Sequence, residues 1–101
     1  MSIEHDWRVH PGEVLEELLG ERNISQTYLA WATGYSLKHV NRVIKGHNSI
    51  SAPMAVGLED VLGQPDAEFW LRLQMAYDLH VVRWAARGLS GLNVANKGSA
   101  R

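Results

Sequence analysis

The chain has 101 residues, with 10 Lys+Arg against 11 Asp+Glu and no Cys. That length allows one domain with one modest core, and the missing Cys excludes a disulfide framework, thiolate-held zinc and thiol catalysis. No apolar run approaches the ~18 residues of a membrane-spanning helix, and 46% hydrophobic content with 21% charged residues fits a folded chain rather than a disordered one.

Residues 1 to 10 read as a polar arm. Their start, MSIEHDW, has neither a basic stretch nor an apolar one, so no signal peptide is expected and a cytoplasmic location is. Pro11 suits the first turn of a helix, where its missing N–H costs nothing. Val14, Leu15, Leu18 and Leu19 then recur at helical spacing, with Glu13, Glu16 and Glu17 opposite, to about Glu21 or Arg22. Ser25 is an N-cap for a second helix, Gln26 to Thr33, which Gly34 ends. Ser36 caps a third, Leu37 to Lys45, stopped by Gly46. Ser51 caps a fourth, with Pro53 in its first turn, a stripe of Met54, Ala55, Leu58, Val61 and Leu62, and Gly63 at its end. Pro65-Asp66 opens a fifth helix, with Phe69, Trp70, Leu73 and Tyr77 on one side and Val81 as a possible continuation, reaching about Arg87. The rest, GLSGLNVANKGSAR, reads as a mobile tail. With no convincing period-two alternation, the expected fold class is all-α with five short helices.

Charge is segregated along this order. Residues 1 to 21 carry six acids and one base, and residues 22 to 58 carry four bases (Arg22, Lys38, Arg42, Lys45) and no acid. Residues 59 to 78 carry five acids and one base, and residues 79 to 101 four bases and no acid. The basic central block holds two short helices joined by the turn GYS. Such a pair forms a helix-turn-helix, whose second helix enters the DNA major groove. On that helix Val40, Val43 and Ile44 make an inward face, while Lys38, Arg42 and Lys45 make one outward stripe with Asn41 at its edge. Lys and Arg reach guanine O6/N7 or phosphates, and Asn pairs with adenine N6/N7. A merely solvated charged face is the plainer alternative. The short-turn pair and the acid-free surroundings favour DNA. Arg42, with its fork mid-stripe, is the expected base reader, and Lys45 the phosphate contact. Leu37 lies at the edge of the core face, where packing is the plainer reading; at the helix start it can instead touch a thymine methyl. Gln26 is placed to donate to a phosphate beside the free N–H groups of its helix start. With the cap Ser36, the candidate DNA-contacting set is Gln26, Ser36, Leu37, Lys38, Asn41, Arg42 and Lys45.

The segments HPGEVLEELL, ISQTYLAWATGYSLKHVNRVIKG, ISAPMAVGLEDVLG and EFWLRLQMAYDL resemble, in that order, the HigA-type (VapI-like) antitoxins of the XRE, lambda-repressor-like helix-turn-helix superfamily. The resemblance covers about residues 10 to 80. It implies an arm over 1–10, a five-helix lambda-repressor-like domain over 11–80 with the helix-turn-helix at about 25–46, and an extension over 81–101. It also implies a homodimer that binds operator double-stranded DNA and represses its own operon, and a cognate toxin, usually a small basic HigB/RelE-like ribonuclease acting on messenger RNA. Leu37 departs from the pattern, standing where superfamily members often carry a polar base reader.

A basic toxin would be drawn to acid, and Glu13, Glu16, Glu17 and Glu21 share one helix, preceded by Asp6 and Trp7. These six are the candidate toxin contacts; solubility is the plainer role for the acids. Phe69, Trp70, Leu73 and Tyr77 are candidates for the dimer interface, with core packing the alternative for Trp70. Trp31 lies opposite Leu29 and is expected to be partly exposed. No His stands in a metal-ligand spacing and no phosphate loop or nucleophile elbow occurs, so neither an enzyme nor a cofactor is expected. No membrane partner is expected, since LHVVRWAAR is too short for a surface helix and continues a packed one more simply. The other reading is a stand-alone phage-type XRE repressor without a toxin.

Overall fold

Each helix start is set by a residue that satisfies or removes a free backbone N–H. In the computed structural model, which describes residues 9–87, α1 spans Pro11–Arg22 and begins with proline. The helices α2 (Gln26–Thr33), α3 (Leu37–Ile44) and α4 (Ala52–Leu62) are capped by Ser25, Ser36 and Ser51, whose hydroxyls accept from the N–H of Tyr28, His39 and Met54. α5 spans Ala67–Arg87 and opens after Asp66, whose carboxylate accepts from Phe69 N–H at 2.9 Å. Among the described residues there is no strand, in line with the all-α expectation. Helix three ends one residue earlier than its sequence suggests, with Lys45 as its C-cap. α5 runs through residues 80 and 81 without a break, so the boundary expected there falls inside one helix. Residues 1–8 and 88–101, most of the expected arm and the whole expected tail, lie outside the described residues.

The core forms where all five helices turn their apolar faces together: Leu15 and Leu19 from α1, Leu29 from α2, Val40 and Val43 from α3, Met54 and Leu58 from α4, and Trp70 and Leu73 from α5. α1 packs on α3 and α5, and α4 on α2 and α5. Gly12 allows the first of these seams. A Cβ there would run into the carbonyl oxygens of Val43 and Ile44, so the glycine of HPGE lets α1 close on the end of α3.

Side-chain bonds at Arg22, Gln74 and Glu59 lock the frame. Arg22 Nη1 donates to the Leu62 carbonyl at 2.8 Å and satisfies the end of α4; it belongs to the scaffold rather than to a free basic patch. Gln74, 9% exposed, accepts from Ile50 N–H at 2.8 Å, and its amide donates to Asp78 at 2.9 Å. Glu59 accepts from Ala67 N–H at 3.1 Å, joining α4 to the start of α5.

At Trp70, Leu73 and Val81 the structure departs from what the sequence suggests for α5. Trp70 and Leu73 are 0% and 5% exposed within a single chain, so neither has surface left for a second copy. Phe69 and Tyr77 are half-buried, edge-on against Trp70 and His10 of the same chain, and keep exposed surface beside that packing. Val81 is exposed rather than a continuation of the core.

Candidate nucleic-acid interface

The turn between α2 and α3 is short because Gly34 takes φ +84°, a left-handed conformation that glycine adopts without a Cβ penalty. Its N–H closes on the Ala30 carbonyl at 2.9 Å, and two residues later Ser36 begins α3. The inward residues Val40, Val43 and Ile44 are buried. That burial fixes the rotation of α3 and turns Ser36, Leu37, Lys38, Arg42 and Lys45 to the exterior. Asn41 is half-buried at the edge of this surface.

Side-chain bonds order that surface. Asn41 Nδ2 donates to Gln26 Oε1 at 3.3 Å, tying α3 to the start of α2. The bond directs the Gln26 amide nitrogen away from Asn41 as a donor, and leaves Asn41 its oxygen and one N–H for an adenine edge. Arg42 Nε donates to Asn48 Oδ1 at 3.3 Å. Ser36 Oγ already accepts from His39 N–H at 3.0 Å, so its own hydroxyl hydrogen is what it can offer outward.

Leu37 is where packing loses. It is 48% exposed at the start of α3, beside the polar set rather than in the core. An apolar side chain there can meet a thymine methyl but cannot hydrogen-bond a base. Trp31 is 77% exposed on α2 and lies 5.8 Å from the Tyr28 ring. Sequence reasoning missed Asn48 and His39. Neither lies in the basic stripe, and only the fold of the α3–α4 connection brings Asn48 to Arg42. For Asn48 the nearest signal was Gly46, a turn residue two positions before it; for His39 there was none.

The candidate toxin contacts separate into two groups. Glu13, Glu16, Glu17 and Glu21 are exposed on one face of α1. Glu13 meets His10 Nε2 at 3.5 Å. Asp6 and Trp7 lie outside the described residues. Among the described residues no group of three or more His, Cys, Asp or Glu is placed to hold a metal ion, and no helix is long and apolar enough to cross a membrane.

Known proteins share this arrangement. The family model described as helix-turn-helix matches residues 15–69. Virulence-associated protein I of Dichelobacter nodosus is 39% identical over 72 residues, which is 70% of this chain and 66% of that protein. The chain thus spans just under two thirds of that relative's length. The Pseudomonas aeruginosa antitoxin HigA, solved with the higBA promoter, is 37% identical with a TM-score of 0.72, covering 84% of this chain and 91% of that one. Another Pseudomonas aeruginosa structure, solved with 28-base-pair operator DNA, is 34% identical with a TM-score of 0.75, covering 85% of this chain and 94% of that one.

Proposed function

The chain belongs to the helix-turn-helix family, and from that premise we propose that it is a HigA-like antitoxin that represses its own operon as a DNA-bound dimer. The observation that carries the DNA half is the exposed stripe of Lys38, Arg42 and Lys45 on the second helix of the pair, flanked by the tied Gln26–Asn41 amides. Solved relatives bound to promoter and operator DNA support it. Gln26, Ser36 and Lys45 serve phosphates; Arg42, Asn41 and Leu37 face base edges; Lys38 reaches either.

The dimer of this reading forms along the outward face of α5. Leu71, Met75, Leu79 and Val82 are exposed and repeat at i, i+4, i+8 and i+11. That spacing puts them on one stripe, turned away from Trp70 and Leu73. A second copy covers them, helix against helix, and presents two α3 helices ~34 Å apart to successive half-sites. The substitutions Met75→Glu with Leu79→Glu are expected to leave a folded monomer in sedimentation and to weaken operator binding steeply.

The toxin half rests on α1. Its exposed glutamates suit a small basic ribonuclease of the RelE/HigB kind, whose anionic RNA substrate requires a basic surface. The test is co-purification with the product of the neighbouring reading frame, together with gel-shift assays on the upstream DNA. A complex with a short basic partner supports the antitoxin. Operator binding without any partner favours a stand-alone repressor, and failure to bind upstream DNA overturns the reading.

A further inference from the structure

Gly46 adopts φ +85° and folds the chain back over the end of α3. The Arg42 carbonyl accepts from His47 N–H at 2.8 Å and from Asn48 N–H at 3.2 Å. The backbone therefore fixes Asn48 beside Arg42, and the Arg42 Nε bond to Asn48 Oδ1 closes the loop. A guanidinium only donates, so the Asn48 atom that faces it is the oxygen. The Asn48 amide nitrogen then faces His39 Nδ1 at 3.4 Å and donates to it. His39 in turn stacks on Tyr35, with ring centroids 4.7 Å apart and planes within 19°. In this chain of contacts from Tyr35 through His39 and Asn48 to Arg42, Arg42 is the exposed end in the basic stripe.

We propose that Asn48 is a positioning residue that sets operator specificity by holding the Arg42 guanidinium for base readout. This rests on the DNA-binding reading of α3. With Nε engaged, the two terminal nitrogens of the exposed Arg42 keep four N–H groups outside that bond, and such a pair can span guanine O6 and N7. A base edge accepts only a narrow range of orientations, whereas a phosphate accepts nearly any. Restraint of Arg42 in advance of binding therefore affects discrimination between sequences more than affinity for DNA in general. Asn48 needs no base contact of its own to do this.

The test is a double-mutant cycle with Asn48→Ala, Arg42→Ala and the double variant in the full chain. Affinity is measured for the operator and for duplexes with single guanine–cytosine pairs exchanged. Asn48→Ala is expected to lower discrimination at the pair that Arg42 reads by roughly fivefold or more. In the Arg42→Ala background the same change is expected to do nothing further. Asn48→Asp keeps the acceptor and restores discrimination at that pair, while its charge lowers affinity for all sequences alike. In the DNA-free protein, the Arg42 Nε–H resonance is expected to be protected from exchange, and to lose that protection in Asn48→Ala with melting behaviour unchanged. Full discrimination by Asn48→Ala, beside a loss in Arg42→Ala, overturns the proposal alone. So does an Asn48→Ala effect that persists in the Arg42→Ala background. Full discrimination by Arg42→Ala overturns the reading of Arg42 itself, and the proposal with it.

Discussion

α1 and α3 pack on one another and turn opposite charges outward: Glu13, Glu16, Glu17 and Glu21 on one, Lys38, Arg42 and Lys45 on the other. The two faces differ in order as well as in sign. On α3 two of the polar side chains are tied before any partner arrives, Asn41 to Gln26 and Arg42 to Asn48. Of the four glutamates on α1, only Glu13 is held, by His10 at 3.5 Å. A base edge demands a donor in one direction, so under the proposed function a reader restrained in advance loses less freedom on binding. Attraction between an acidic face and a basic protein acts over a Debye length and needs no fixed rotamer. Fixed geometry and loose charge are thus two designs on the two sides of one seam.

The strongest way to break the comparison is to remove the seam. Trp70→Ala, in the centre of the shared core, is expected to cost ~3–5 kcal/mol of stability and to abolish both faces together. A thermal melt checks it, and an unchanged midpoint would remove Trp70 from the core. Gln74→Ala is a smaller break. It leaves Ile50 N–H without its partner and is expected to cost ~1–3 kcal/mol by chemical denaturation.

Other changes sharpen the comparison without unfolding anything. Arg42→Ala is expected to lose ~1–3 kcal/mol of discrimination at one base pair. Lys45→Ala should weaken all sequences alike and flatten the dependence of log affinity on log salt by ~0.9 per contact. Binding to operator and scrambled duplexes across a salt series separates the two. The smallest effect belongs to α1. Glu16→Gln with Glu17→Gln is expected to slow toxin association and flatten its salt dependence, with operator affinity untouched, in stopped-flow and gel-shift measurements. Unchanged association kinetics would remove this helix from the toxin interface.

Much of this was legible in the sequence because helix ends are local events. Pro11, Ser25, Gly34, Ser36, Ser51 and Gly63 each mark a boundary by chemistry that acts within four residues. The α3 stripe was equally legible, since a buried Val40, Val43 and Ile44 dictate which side chains face out. The illegible parts are tertiary. Arg22 caps a helix 40 residues away, and Gln74 satisfies an N–H 24 residues away; no spacing rule carries either. Leu37 misled because a helical angle at the first residue of a helix describes a core that does not extend that far. Trp70 and Leu73 were read as a possible interface because apolar periodicity cannot tell a face that meets its own chain from one that meets another.

Under the proposed function α3 is the DNA-facing side, and its outward residues act without supporting the fold. Operator affinity as a function of salt, for the wild type and for Lys38→Ala with Arg42→Ala and Lys45→Ala, tests it most directly. The expected result is an unchanged melting temperature, loss of operator preference, and a log–log salt slope shallower by about 0.9 for each phosphate contact removed. An unchanged slope with operator preference intact would contradict it.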